Sequence, residues 1–236
     1  MTAPGDIAAE SEALRATRAS LHAVAEHVMA ATQYAHKRRL GLRQATGGFA
    51  SQPFVVDGAE RRLAVVGTEL VRRDQDPRGE AAERRTPITS LRAAARLAGG
   101  TVGMPPDAYR PSPMPDPDAE LAIDTRAAAL IAGFYALVQA ALIVFTAELA
   151  PEGPSEIQLW PEHFDVATTI SQVNYGGSPG DADHDEPYVY IGPFERPPRG
   201  GFWNEPFGAS QLWGEIAGVD DALRFFREGR AARRQG

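Results

Sequence analysis

The chain has 236 residues, with 24 Lys+Arg against 31 Asp+Glu, a net charge of −7, 43% hydrophobic residues and no cysteine. Without cysteine there are no disulfides, thiolate zinc sites, iron–sulfur clusters or cysteine nucleophile. The acidic balance argues against a nucleic-acid binder. Lys37 is the only lysine and Arg38 follows it, so no P-loop Gly-Lys-Ser/Thr exists.

Length and composition are those of a globular chain that can bury a core. The expectation is one α+β domain over residues 1–236, with a proline-rich connector near 104–117 between two helix-plus-strand halves. Antiparallel sheet regions are expected to pack against a long buried central helix and an amphipathic N-terminal helix. Met1–Glu12 is polar and acidic. It has no basic segment leading into an apolar one, so the expected setting is cytoplasmic.

Leu14, Leu21, Val24, Val28 and Ala31 recur at helical spacing and predict a helix from Ala8 to about Tyr34. His36, Lys37, Arg38 and Arg39 suit its C-terminus, with Gly41 beyond. Phe54–Val56 and Leu63–Val71 read as strands around Asp57-Gly58, a hairpin signal with a loop longer than two residues. The charged run Arg72–Arg85 reads as an exposed loop. Thr86-Pro87 opens a short helix, Ile88–Ala98, which Gly99-Gly100 closes. Six prolines between Met104 and Pro117 leave no regular element there.

The apolar stretch between Arg126 and Glu148 is long enough to cross a bilayer. It is rich in alanine, contains Gln139, and has no aromatic belt or basic flanking cluster, so it reads as a helix buried on all sides and not as a membrane segment. Ile157–Ile170 and Pro187–Ile191 read as strands separated by a Gly-rich loop, Tyr175–Glu186. Val219–Arg230 reads as a closing helix.

His22, Glu26 and His27 form H-x-x-x-E-H on the first helix. Zincin helices set two histidines four apart, whereas five residues swing the rings over a third of a turn apart. His22 and Glu26 therefore read as a surface pair. Gly176-Gly177-Ser178-Pro179-Gly180 matches a nucleophile elbow in form only, because Pro179 has no N–H to offer an oxyanion. It reads as a turn.

The stronger candidate lies in the last third. Strand alternation would put His163 and Asp165 on the apolar face of Ile157 and Leu159. The loop Asp181–Glu186 sets four carboxylates around His184. Asp181, Asp183 and Asp185 have the spacing of calcium-loop oxygens, without the turn glycine or distant glutamate of an EF-hand. His163, His184 and a carboxylate would suit zinc, iron or manganese. The candidate metal set is His163, Asp165, Asp181, Asp183, His184 and Glu186, with the two histidines converging on one cation. The plainer alternative is a solvated acidic loop, with His163 and Asp165 bonded to each other. Ten aromatic residues, among them Trp160, Tyr188, Tyr190, Trp203 and Phe207, cluster in the same region as core or as pocket wall.

The segments LWPEHFD, GGSPGDADHDEPYVYIGP and FWNEPFGA together resemble an uncharacterised family of actinobacterial proteins. The ATQY and GLR-x-x-x-GGF segments fit the same pattern. The resemblance implies one continuous soluble domain with the apolar helix in its core. It carries no activity, cofactor or catalytic residue.

The expected function is binding of a small ligand or divalent metal (Zn, Mn, Fe or Ca) at an aromatic and acidic pocket. If the site hydrolyses a substrate, a metal-bound water would attack, with Glu162 or Glu186 as base. The rival is a non-catalytic protein that self-associates through its aromatic surface as a homo-oligomer. Neither nucleic acid nor membrane is an expected partner.

Overall fold

The computed structural model describes residues 4–195 and 200–235. The fold is α+β, with two antiparallel sheets. The chain divides into two compact units: Met1–Gly133 with Leu159–Phe164, and Phe134–Gln158 with Asp165–Gly236. The division falls inside the long apolar helix, and the proline-rich segment lies within the first unit.

The first unit opens with α1 (Pro4–Val24), which passes through a π-helical turn, Ala25–Ala30, into α2 (Ala31–Lys37). The predicted stripe is the buried one, as Leu14, Leu21, Val24, Val28 and Ala31 show. The helix ends before Gly41, because Arg38 adopts the left-handed cap at φ 56° and its N–H closes on the Tyr34 carbonyl.

Six strands follow: β1 (Arg43–Ala45), β2 (Gly48–Ala50), β3 (Phe54–Val56), β4 (Ala59–Val66), β5 (Glu69–Gln75) and β6 (Ala81–Pro87). Their order is β1-β2-β4-β5-β6, with β3 also paired to β4. Asp57 and Gly58 both have positive φ, and Val56 pairs directly with Ala59. This is a two-residue turn of the I′ kind, shorter than the sequence suggested.

The run Arg72–Arg85 is not a loop. Arg73 sits opposite Glu83, and Arg85 pairs with Glu83 and Glu69. Cross-strand charge pairs sustain an exposed strand that has no apolar alternation, and charge on an edge strand deters further pairing. Next comes α3 (Leu91–Ala98), capped by Ser90 at its start and by left-handed Gly99 at its end. Pro87 belongs to β6, so the helix begins later than predicted.

Next in the chain, α4 (Thr125–Glu148) confirms the apolar helix. By length and composition it could cross a membrane, and half of its most apolar stretch is buried. It is not buried on all sides: Ala127, Ile131, Phe134, Val138, Leu142 and Phe145 lie on the buried face, while Ile143 and Val144 are exposed.

Beyond β7 (Gln158–Trp160), the second unit carries β8 (Asp165–Ile170), β9 (Val173–Ser178), β10 (Tyr188–Pro193) and β11 (Ala209–Leu212), in the order β11-β10-β9-β8. It closes with α5 (Val219–Gln235).

The expected strand Ile157–Ile170 is thus broken by a turn at residues 161–164, where Phe164 adopts φ 53°. Gly176 and Gly177, expected in a turn, lie inside β9. A Cβ on Gly177 would stand 2.5 Å from Val138 and 2.9 Å from Phe134, and one on Gly176 would stand 2.6 Å from the Val166 carbonyl. These strand glycines mark close approach of neighbouring groups, which local sequence cannot distinguish from a turn.

Candidate functional site

Strand alternation gives the second unit's sheet two different faces. Tyr175 and Gly177 face helices α4 and α5, with Tyr175 between Phe145 and Phe226 at ring separations of 4.8 and 6.1 Å. The register places Ala167, Gly176, Tyr190 and Ser210 together on the other face, with Ser178 beside Tyr188.

That second face carries a chain of polar contacts. Buried Asp165 accepts the Tyr190 hydroxyl, and Asp181 accepts the Tyr188 hydroxyl. Asp181 also organises its own loop, with Oδ1 accepting the backbone N–H groups of Asp183 and His184 at 2.8 Å each. His184 lies between two carboxylates, with Nε2 2.9 Å from Glu205 Oε1 and Nδ1 3.4 Å from Asp181 Oδ1. The Ser210 hydroxyl holds the same Glu205 oxygen at 2.7 Å. The Tyr188 ring lies tilted against the imidazole at 4.5 Å, and half-exposed Phe207 stands at 6.5 Å.

Burial lowers the imidazole's proton affinity, but the hydrogen bond and charge of Glu205, with Asp181 behind them, raise it above its ordinary value. Burial likewise raises Asp181, and the Tyr188 hydroxyl and loop N–H groups more than reverse this, so its carboxyl titrates below its usual range. Burial and the neighbouring carboxylates push both tyrosine hydroxyls upward, which keeps them neutral donors.

A pH prediction follows with a defined sign. Because the folded-state affinity of His184 is raised, its stabilisation is complete below about pH 6.5, the unfolded value, and is lost as pH rises through the folded value. Denaturant melts of wild type between pH 6 and 9 should show this decline, and His184→Gln should lack that component. A wild-type profile identical to that of His184→Gln would refute the role assigned to the imidazolium.

The predicted metal set is only partly assembled. Asp181 and His184 meet, whereas Asp183, Asp185 and Glu186 are exposed on the loop. His163 is exposed in the 161–164 turn and not on a strand face, so its predicted alternation with buried Asp165 does not exist. His163 belongs to the first unit, and Asp165 and His184 to the second. Among the described residues, no group of three or more His, Asp or Glu is arranged to hold a metal ion. Ser178 is buried at the end of β9, with its hydroxyl donating to the Gly180 carbonyl, so the elbow-like motif is the end of a strand and the bend beyond it, not the turn that the sequence suggested. Glu205, missed in the sequence, sits in a loop with no spacing signal. Tyr188 and Tyr190 were legible as same-face partners from their i, i+2 spacing alone.

The first unit holds a second polar cluster that the sequence misread as surface. Glu26 and His27 are each 1% exposed. Glu26 Oε1 accepts the Tyr109 hydroxyl at 2.8 Å and the Ser112 N–H at 3.1 Å. Its Oε2 lies 3.8 Å from His22 Nε2 and 3.6 Å from His27 Nε2, beyond hydrogen-bonding range. In α geometry, residues five apart diverge by roughly 140°. The i→i+5 bonding of the π turn brings them toward one side, as π turns at functional sites often do.

In the second unit, a cavity of about 380 Å³ is lined by Phe145, Leu149, Arg227 and Arg230 among others. Glu148 binds Arg227 and Glu152 binds Arg230, so its guanidinium groups are already engaged.

Searches with protein-family models, curated proteins and solved structures found no match to this chain.

Proposed function

We propose that this is a small-ligand-binding protein whose binding surface is the aromatic and acidic face of the second unit's sheet. The arrangement of His184 between Asp181 and Glu205, beside the half-exposed ring of Phe207, carries this reading. Asp183, Asp185 and Glu186 add negative charge at the rim, outweighing one imidazolium. The ligand class that suits it is a small organic cation, whose ammonium group would pair with a carboxylate and pack against Phe207. We read the setting as cytoplasmic. A divalent metal at Asp181 and His184, and the self-associating protein, are the competing readings.

Thermal melts and calorimetric titration with agmatine and benzylamine, and separately with Ca²⁺, Mn²⁺ and Zn²⁺, test this. Binding of N and not U at a hundredfold excess over Kd stabilises by about 2.7 kcal/mol. The amines should give this stabilisation in wild type, and Glu205→Gln and Phe207→Ala should lose it while retaining the wild-type circular dichroism. Stabilisation by metal alone, lost in His184→Ala, would replace the amine with a metal. No response to any probe, with a mass that rises with concentration, would favour self-association and end the ligand reading.

A further inference from the structure

We propose that Glu26, carried on the π turn between His22 and His27, is a proton-operated latch that fastens the proline-rich segment Gly103–Ser112 to the first unit and releases it in acid. This inference is independent of the ligand reading, because it concerns the other unit.

The fastening is specific. Glu26 Oε1 takes both the Tyr109 hydroxyl and the Ser112 N–H, and one residue on, the His27 carbonyl takes the Gly103 N–H at 2.9 Å. Prolines 105, 106 and 111 leave this stretch no ladder or helix of its own, so its position depends on such ties. Near its midpoint, Asp107 is tied to the end of α2 by Arg38 at 2.5 Å.

The switch lies in what Glu26 leaves unmade. Its Oε2 is buried without a hydrogen bond, and so is His27 Nδ1. His22 Nε2 lies 2.8 Å from the Pro161 carbonyl. A carbonyl can only accept, so that nitrogen carries hydrogen in the neutral ring, and an added proton goes to Nδ1. A proton on either ring creates a cation beside a fully buried carboxylate. The carboxylate gains by turning toward the imidazolium charge, and at His27 by closing the 3.6 Å gap to Nε2. That turn takes Oε1 away from Tyr109 and Ser112. A buried hydroxyl and amide without partners are costly, and the segment recovers them by moving into water.

Among the described residues, Glu162 and His163, on the 161–164 turn, and Tyr109, on the segment itself, are ionisable groups whose charges reach the cluster. From α3, which packs against the π turn, Arg92 and Arg96 are exposed, and Arg92 is bonded to Asp118. Burial lowers the proton affinity of His22 and of His27, more than Glu26 raises it. A depressed histidine makes the closed arrangement most stable above about pH 6.5 and weakens it as pH falls below that value.

Hydrogen exchange of the full chain, corrected for the intrinsic rate at each pH, tests the latch at the Ser112 amide. Each unit by which a histidine's affinity differs between closed and open arrangements is worth about tenfold in protection. Protection at Ser112 should therefore fall about tenfold or more from pH 7.5 to 5.5, while amides of α1 and α3 keep theirs. His22→Gln and His27→Gln should each flatten that fall, and Tyr109→Phe should lower protection at both pH values. His22 is partly exposed, so its variant is informative even where His27→Gln does not fold. In wild type, the His22 or His27 ring resonances should titrate with the same midpoint as the loss of protection. Equal protection at both pH values, a fall that persists in His22→Gln, or a loss shared by α1 and α3 would each overturn the proposal.

Discussion

Leu142→Ala should lower the unfolding free energy by about 2–5 kcal/mol, through lost transfer energy and the cavity left behind. Leu142 is fully buried on the packed face of α4, in the part of the helix belonging to the second unit. Leu137, five residues earlier, is only half-buried, so Leu137→Ala should cost clearly less. Denaturant melts of the two variants read the difference directly. Equal losses would mean that the face assigned to the core is wrong. Recovery of wild type only from detergent-extracted membranes would overturn the core reading of α4 altogether.

Arg61→Ala should cost about 3 kcal/mol, the lower end of what removing one member of a buried ion pair costs. Arg61 is 7% exposed in β4. Its Nε donates to Asp74 Oδ1 at 2.7 Å, and its Nη1 donates to the Ala98 carbonyl at the end of α3 at 3.1 Å. The side chain therefore ties the sheet to an orphan carbonyl of the helix terminus. Arg72 remains on the other Asp74 oxygen, at 2.6 Å from its Nη2, which keeps the loss from being larger. Burial raises the Asp74 carboxyl, and the two guanidinium groups outweigh it and hold it below the usual range. Its contribution is thus present above about pH 3.9 and is lost as pH falls through the folded value. The Arg61→Ala penalty, read by melts at pH 7 and pH 3, should shrink in acid. A penalty independent of pH would mean that the helix-carbonyl contact carries all of it.

The candidate sites divide along the same physical line. His184, Asp181 and the tyrosines of EPYVYI were legible because they lie within one ten-residue stretch, Asp181–Tyr190, where loop crowding and strand alternation operate. His163 was misplaced because alternation was carried through a turn that begins at Pro161 and includes the left-handed Phe164. Glu26 was misread as half of a surface pair because no local signal shows that it is buried under a distant segment, and His22 and His27 were read as divergent because nothing local announces a π turn.

The sequence by itself determined the exclusions that follow from having no cysteine and one lysine, the existence of the first helix and of α4, and the Asp57-Gly58 hairpin. Each rests on composition, a period, or a turn dipeptide, which short stretches of chain express without help. Only the tertiary structure decided which face of α4 is buried, why Gly176 and Gly177 lie within a strand, and who partners the buried acids. Tyr109 reaches Glu26 across 83 residues, and Pro161 meets His22 across 139. Pairings at such separations have no period to read. They form because a desolvated carboxylate or imidazole must find a donor or acceptor wherever the folded chain brings one.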